Sequence, residues 1–153
     1  MVSLLILDVD HFKALNDSAG HQRGDEYLIL LGAELTRIAR RTTDVAARCG
    51  GEEFALILPG TGAADAAHIA ESVRSAIASL QLPHSASPTA AILTVSVGVA
   101  TATPEWPDTP AELVAAADSA LYAAKRGGRN RVEAAQRTAA PPKPANLVVI
   151  ERV

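Results

Sequence analysis

The chain of 153 residues is poor in cysteine, in aromatic residues and in excess charge of either sign. Its one cysteine, Cys49, excludes an internal disulfide and is typical of a reducing compartment, so we expect a cytoplasmic protein. Aromatic residues make up 3% of the sequence, and the net charge of −3 excludes the general basic surface with which proteins hold long nucleic acids. Any nucleotide bound here is therefore expected to be small.

Long hydrophobic runs are also absent. The apolar stretch that begins at Met1 has no basic residue before it and is cut off at Asp8, so it is too short for a signal sequence or a membrane span. Apolar residues make up 48% of the chain and charged residues 20%, a balance typical of a globular domain with one core. We expect a membrane anchor, if the protein has one, to lie elsewhere in a longer parent.

Hydrophobic periodicity and turn residues predict alternating strands and helices. Apolar residues three and four apart indicate amphipathic helices, β-branched runs indicate strands, and paired glycines between two such runs favour a hairpin. The sequence TPAE at residues 109–112 has the composition of a helix N-terminus with a capping box. The predicted strands cover about residues 4–7, 44–48, 54–58, 92–100 and 130–132, and the predicted helices cover a short segment after residue 13 and about residues 25–41, 63–80 and 110–126.

This order of elements predicts an α/β sandwich with a mixed central β-sheet, flanking helices and one β-hairpin. We expect a single domain over residues 1–133. Residues 134–145 are rich in alanine and proline, which is typical of a linker, and residues 147–150 form a short apolar tail.

Acidic residues cluster at two predicted turns. Asp8 and Asp10 flank Val9 where the first strand ends, and Glu52 and Glu53 follow the paired glycines of the hairpin. If neighbouring strands bring the two clusters together, their oxygens suit a divalent cation that completes its shell with water and substrate phosphates. A nucleoside triphosphate is then the candidate substrate, and the alternative is that these acids are merely solvated.

The segment after the first acids has the composition of a phosphate site. His11, Phe12 and Lys13 precede a short predicted helix, whose free backbone N–H groups and lysine suit phosphate oxygens. The alternative interpretation of Lys13 is an ordinary solvated surface charge.

Several motifs occur in an ordered series along the chain. Together they resemble the successive signatures of GGDEF domains, the diguanylate cyclase family, over about residues 4–132. The motifs are DVDHFK at 8–13, ND at 16–17, GH at 20–21, GD at 24–25, RCGGEEF at 48–54, SVGV at 96–99, AD at 117–118, lysine at 125 and GRN at 128–130.

The resemblance implies a metal-assisted condensation of two GTP molecules into cyclic di-GMP. Asp8, Glu52 and the backbone carbonyl of Val9 would bind magnesium or manganese, and Glu53 would serve a second ion. Glu52 or Glu53 would also accept the proton of the attacking ribose 3′-hydroxyl, while Lys13 would stabilise the charge that develops.

The resemblance also implies a nucleotide-binding set. Asn16 and Asp25 would hydrogen-bond the guanine edge with His21 nearby, and Lys125 and Arg129 would hold the terminal phosphates. Helix dipoles offer a simpler alternative: Asp25 as an acid at a helix start, and Lys125 and Arg129 as basic residues at a helix end.

An RxxD sequence precedes the hairpin, where many GGDEF domains carry their inhibitory product-binding site. Arg41 and Asp44 would then bind cyclic di-GMP, because the planar arginine fork grips phosphate and stacks on guanine. Arg74 is a weaker candidate for a second contact. The alternative is a basic residue at a helix end beside an acid at a strand start.

Two departures from the family pattern affect these expectations. The family segment that precedes the first strand has no counterpart here, so the domain is expected to be N-terminally truncated, and Cys49 stands where an aromatic residue is common. We expect a homodimer, since each domain would bind one GTP, and an upstream sensor domain in the parent protein.

Two other functions remain open at this point. A domain without turnover that still binds GTP or cyclic di-GMP would be a regulatory module, and the RxxD residues would carry its function. A polymerase-palm or adenylate-cyclase-like enzyme would share the metal chemistry, but Asn16, Asp25 and the lack of a basic template groove favour a cyclase that uses GTP.

Overall fold

The computed structural model describes residues 1–104 and 109–136. These residues form a five-stranded sheet and four helices, which confirms the α/β class. The strands are β1 (Val2–Val9), β2 (Val45–Arg48), β3 (Glu53–Pro59), β4 (Val95–Ala102) and β5 (Val132–Ala134), and the helices are α1 (Phe12–Ala19), α2 (His21–Ile38), α3 (Ala63–Ser79) and α4 (Pro110–Arg126).

The strand order in the sheet is β2-β3-β1-β4-β5. Strand β1 lies at the centre and pairs antiparallel with both β3 and β4, and β2 pairs antiparallel with β3 to form the hairpin. Only the β4–β5 pair of this described sheet is parallel. The sheet is therefore mixed, as the sequence predicts.

The sheet is covered on both faces because successive residues of a strand point to opposite sides. Leu5, Leu7 and Val9 of β1 belong to the larger apolar cluster, which they share with residues of α1, α2 and α3. Leu4 belongs to a smaller cluster with Leu113 and other residues of α4. Helix α4 thus lies on one face, and the other three helices lie on the opposite face.

Two elements begin three or more residues away from their predicted starts. Helix α2 begins at His21 instead of residue 25, because the spaced leucines mark only the part of the helix that faces the core. Gly20, with a φ of 87°, separates it sharply from α1. Strand β4 begins at Val95 instead of residue 92, because Ile92 bridges to Pro83 in the preceding loop.

Helix α4 begins with the predicted capping box, in which Glu112 N–H donates to the Thr109 hydroxyl and Glu112 accepts from Thr109 N–H. It ends at Arg126 with Gly127 as the C-cap, as predicted, and the chain turns at Gly128, which has a φ of 114°, before β5. The last strand therefore begins at Val132, not at residue 130, and includes Ala134.

Several predictions lie partly or wholly outside the described residues. The apolar tail at 147–150 and the linker from residue 137 onward belong to this group. In residues 1–104 and 109–136, no helix combines the length and the apolar character that crossing a membrane requires.

Close packing of α4 on the sheet requires a glycine in β4. A Cβ atom at Gly98 would lie 2.2 Å from the carbonyl oxygen of Ala117 and 2.3 Å from the amide nitrogen of Leu121. We expect Gly98→Ala to lower the free energy of unfolding by about 3 kcal/mol or more, because backbone atoms of α4 must move. Urea denaturation monitored by circular dichroism measures this change.

The control is Gly32→Ala in α2, where a Cβ atom would meet nothing closer than a Phe54 ring atom at 3.9 Å. This substitution is expected to be neutral or to stabilise by up to about 1 kcal/mol, since alanine favours helix. Equal effects of the two substitutions would contradict the packing argument.

Candidate active site

Strand register brings the two acidic clusters together at one end of the sheet. Asp8, near the end of β1, is paired with Glu53, the first residue of β3. The amide of Val9 donates to the carbonyl oxygen of Glu52 across the same gap, at 3.3 Å. The carboxylates that the sequence separates by more than forty positions are thus neighbours.

Two of these carboxylates, those of Asp8 and Glu52, are at least partly buried and close to like charge. Burial raises the pKa of Asp8, with a smaller upward contribution from Glu53 and Asp10, and the nearby Lys125 opposes this rise. Burial also raises the pKa of Glu52, followed by the charge of Asp8. A cation placed between Asp8 and Glu52 would offset the effects of burial and of the neighbouring negative charge on their pKa values, because it favours the charged form of each acid.

Lys125 supplies one such positive charge. It lies in the last turn of α4, and its Nζ is 2.9 Å from Oδ2 of Asp8. The family resemblance implies that this lysine holds the terminal phosphates; in the structure, it forms an ion pair with the first acid. Its position in the last turn of α4 also agrees with the alternative that Lys125 is a basic residue stabilised by the dipole at the helix end.

The side chains at this end of the sheet can supply only some of the ligands of a hard divalent cation. Among the described residues, no group of three or more His, Cys, Asp and Glu side chains lies close enough to hold a metal ion alone. Asp8, Glu52, Glu53 and the carbonyl of Val9 are all oxygen donors, which Mg²⁺ and Mn²⁺ prefer. They fit an ion that takes its remaining ligands from water and substrate phosphates.

Helix α1 begins directly beside these acids. Its N-cap residue, His11, has a left-handed backbone with φ 57° and ψ 33°, and its Nε2 lies 3.0 Å from the hydroxyl of Thr89. Phe12 is buried in the larger core cluster, so only its backbone is available to a ligand, whereas Lys13 is exposed. The first amides of α1 have no acceptor within the helix.

The junction of α1 and α2 brings together the residues predicted to bind guanine. Asn16 packs against Gly24, where a Cβ atom would lie 2.0 Å from the amide oxygen Oδ1. That oxygen is buried and has no hydrogen-bond partner among the described residues. His21 and Asp25 lie one turn apart on α2 and are exposed. Because α2 begins at His21, Asp25 is not in its first turn, which removes the dipole explanation for this acid.

Asp10 differs from Asp8 although both belong to the same acidic motif. It is 1% exposed and accepts hydrogen bonds from the hydroxyls of Thr94 and Ser96, each at 2.7 Å. The backbone N–H of Asn130 donates to it as well, at 3.0 Å. Asp10 is therefore a buried structural acid that ties β1 and β4 to the loop after α4.

Arg129 lies in that loop, with a left-handed backbone φ of 66°. Burial lowers the pKa of His11, and the positive charge of Arg129 lowers it further. The sequence marks this loop by the glycines at 127–128 and the GRN motif at 128–130, but neither predicts the contacts that fix the loop.

Arg41 and Asp44 lie in a separate groove. The guanidinium Nε of Arg41 is 3.0 Å from Asp44 Oδ1, its backbone N–H donates to Asp44 Oδ2 at 3.1 Å, and a terminal nitrogen donates to Thr61. Arg74 does not line this groove, because it bonds Glu71 and Asn130. The groove has a volume of about 430 Å³ and is lined by Arg37, Ile38, Arg40, Arg41, Asp44, Ile69, Ser72 and Ala76.

The sequence model of one family, described as "Diguanylate cyclase, GGDEF domain", matches residues 1–131. The chain belongs to the GGDEF domain family. Its relatives include the probable diguanylate cyclase DgcC of Escherichia coli K12, 44% identical over 87% of this chain and 34% of DgcC, and the response regulator PleD of Caulobacter vibrioides, 40% identical over 86% of this chain and 28% of PleD. This chain thus spans about a third of the length of these curated relatives.

Solved structures of GGDEF domains share the fold. The GGDEF domain of DgcB from Caulobacter crescentus, in complex with c-di-GMP, superposes with a TM-score of 0.77 at 40% identity and covers 88% of this chain and 77% of that one. The active GGEEF domain of a diguanylate cyclase from Vibrio cholerae has a TM-score of 0.75 at 31% identity, covering 90% and 84%. The family assignment from the ordered motifs is confirmed.

The different surroundings of the two aspartates in this GGDEF domain lead to different expected costs of removal. Asp8→Ala should change the free energy of unfolding by no more than about 1 kcal/mol, because the lost ion pair with Lys125 is offset by relief of desolvation. Asp10→Ala should cost about 2–4 kcal/mol, because it leaves buried donors unpaired. Urea denaturation of both variants without added metal checks this.

A loss at Asp8 as large as the loss at Asp10 would contradict the distinction. It would mean that Asp8 is needed for folding, which would leave its effect on any later activity assay uninterpretable.

Proposed function

We propose that this domain is a diguanylate cyclase, which condenses two GTP molecules into cyclic di-GMP and releases pyrophosphate. The proposal depends on the observation that Asp8, Glu52 and Glu53 lie close together at one end of the sheet, beside the start of α1. Membership of the GGDEF family supports it, as do the names of the relatives.

Asp8, Glu52 and the carbonyl of Val9 would hold one Mg²⁺ or Mn²⁺ and Glu53 would hold a second. When bound, these ions acidify the ribose 3′-hydroxyl and neutralise charge on the α-phosphate. The raised pKa values of Asp8 and Glu52 favour this role, because desolvated carboxylates gain from a nearby cation.

Proton transfer falls to the glutamates of the hairpin. Glu52 or Glu53 accepts the proton of the 3′-hydroxyl, whose oxygen then forms a bond to the α-phosphorus of the other GTP. The bond from that phosphorus to the bridging oxygen breaks, and pyrophosphate leaves. A second attack of the same kind, with the roles of the two nucleotides exchanged, closes the ring and releases a second pyrophosphate. Lys13, exposed in the first turn of α1, stabilises the charge that develops on phosphate oxygens.

Phosphate binding uses the start of α1 and the end of α4. The backbone amides of His11 and Phe12 lie at the beginning of α1, where the helix dipole favours negative charge. Lys125 would exchange its contact with Asp8 for the terminal phosphates, together with Arg129. The metal ions would then neutralise Asp8 in place of the lysine.

Guanine would be bound at the junction of α1 and α2. The carboxylate of Asp25 suits the N1–H and N2–H₂ donors of guanine, and adenine lacks this pair of donors. The amide of Asn16 is held in position by Gly24, whose lack of a side chain leaves room for it. His21 lies one turn before Asp25 on the same side of α2.

Catalysis would require a homodimer, because each domain binds one GTP and the two must face each other. The parent protein would carry an upstream sensor domain that controls this encounter, and the enzyme would act in the cytoplasm. The lengths of DgcC and PleD, which greatly exceed the matched region, support further domains in such proteins.

Removing the metal-binding or proton-accepting carboxylates tests the activity directly. We expect Asp8→Asn and Glu53→Gln each to lower cyclic di-GMP synthesis by about 100-fold or more, because charge stabilisation in the transition state is lost. The measurement is chromatographic quantification of product from GTP and Mg²⁺.

The matched control is Asp65→Asn, an exposed acid in the first turn of α3, which follows the end of β3 opposite to Glu53. It should keep normal synthesis. Near-normal synthesis in Glu53→Gln would overturn the assigned roles, and an inactive wild-type domain that still binds cyclic di-GMP would favour the regulatory module instead.

The groove of Arg41 and Asp44 would be a feedback site for cyclic di-GMP. Arg41 is about half exposed, with 48% of its side-chain surface accessible, so a ligand can reach it, and Asp44 holds its guanidinium in one orientation. Arg37 and Arg40 add positive charge at the rim. A planar guanidinium can bind phosphate and stack on guanine at once.

We expect Arg41→Ala to weaken cyclic di-GMP binding by more than about tenfold while GTP binding is unchanged, because the groove lies apart from the acidic sheet end. Calorimetric titration of each nucleotide measures both affinities. Arg23→Ala is the control, since Arg23 is also exposed and paired to an acid three positions later, Glu26. Unchanged cyclic di-GMP affinity in Arg41→Ala would refute the site.

A further inference from the structure

The loop between α4 and β5 has an unusual backbone. Gly128, Arg129 and Asn130 have φ values of 114°, 66° and 47° in succession. Left-handed backbone is unfavourable for residues that carry a Cβ atom, so Arg129 and Asn130 need external contacts to stay in it. The hydrogen bonds of this loop supply them.

Asn130 is held from two sides. Its backbone N–H donates to Oδ2 of Asp10 at 3.0 Å, and its side-chain Oδ1 accepts from Nη1 of Arg74 at 2.9 Å. Asp10 is in turn fixed by the hydroxyls of Thr94 and Ser96. The loop is thereby attached to the sheet through one contact and to helix α3 through the other.

Arg74 is itself oriented before it reaches the loop. Its Nε lies 3.0 Å from both carboxylate oxygens of Glu71, one turn earlier on α3, and 23% of its side-chain surface is exposed. A guanidinium held by a carboxylate on one edge presents its other nitrogens in fixed directions. Nη1 of Arg74 is the nitrogen that contacts Asn130.

Arg129 lies between two constrained residues. Its backbone N–H donates to the carbonyl of Ala124 at 3.0 Å, and the next residue is the doubly held Asn130. Its positive charge contributes to the lowered pKa of His11, the N-cap residue of α1. The backbone of Arg129 is therefore held by its own contact with α4 and by the contacts of its neighbour Asn130.

We propose that Asp10, Asn130 and Arg74 are positioning residues, which fix the loop so that Arg129 points at the terminal phosphates of the bound nucleotide. The inference rests on the proposed function, in which Arg129 binds those phosphates. In this proposal none of the three touches the reacting atoms, and Arg74 acts on the loop from helix α3.

The test compares two nucleotides that cannot react, 3′-deoxy-GTP and 3′-deoxy-GMP, by calorimetric titration with Mg²⁺. Arg74→Met keeps the apolar stem and removes the contact with Asn130. We expect it to weaken 3′-deoxy-GTP binding by about tenfold and to leave 3′-deoxy-GMP, which lacks the terminal phosphates, within about twofold. A general loss of structure would weaken both ligands alike.

A double-mutant cycle with Arg129→Ala shows whether Arg74 acts through Arg129. Once Arg129 is removed, Arg74→Met should change 3′-deoxy-GTP binding by less than about twofold. Asn130→Gly serves as a second variant in case Arg74→Met does not fold, because glycine tolerates the backbone and removes only the acceptor for Arg74. Arg23→Met is the control, since Arg23 is on α2 and pairs with Glu26.

The outcomes distinguish the positioning role of Arg74 and Asn130 from the phosphate-binding role of Arg129. If Arg129→Ala weakens 3′-deoxy-GTP binding but Arg74→Met and Asn130→Gly do not, the positioning role is wrong and the phosphate role of Arg129 stands. If Arg129→Ala itself leaves 3′-deoxy-GTP binding unchanged, the phosphate role fails and the positioning role fails with it.

Discussion

The antiparallel register of β1 against β3 is the constraint on which the candidate site depends. It sets Asp8 opposite Glu53 and brings Val9 to the carbonyl of Glu52. Because side chains alternate along a strand, a slip of one residue would move Asp8 to the other face and expose the leucines of β1. Burial on both faces of the sheet makes such a slip costly, so the core fixes the geometry of the acids.

Two aspartates of one short motif have different surroundings. Asp8 is near other carboxylates and Lys125, and burial raises its pKa, which suits the metal-binding role proposed for it. Asp10 accepts three hydrogen bonds in a nearly closed site and connects the sheet to the neighbouring loop. The same residue type is therefore a candidate for chemistry at one position and a structural contact two positions later.

Glycines at two helix contacts bring other functional residues into place. Gly98 lets the backbone of α4 rest on β4, and α4 carries Lys125 to Asp8. Gly24 lets α2 pack against Asn16, so that the candidate guanine contacts come from two helices at one junction. In both cases the absence of a Cβ atom sets the distance between the packed elements, and that distance decides which candidate site residues come together.

The sequence by itself determined the class of fold, the order of elements and the family, because periodicity, capping residues and ordered motifs are local signals. It also identified Asp8, Glu52 and Glu53 as an acidic set. Only the tertiary structure decided that Asp10 is structural, that Lys125 pairs with Asp8 and that Arg74 reaches Asn130. These contacts join residues that are between 56 and 117 positions apart in the sequence. Such pairings depend on tertiary packing, which no local sequence pattern encodes.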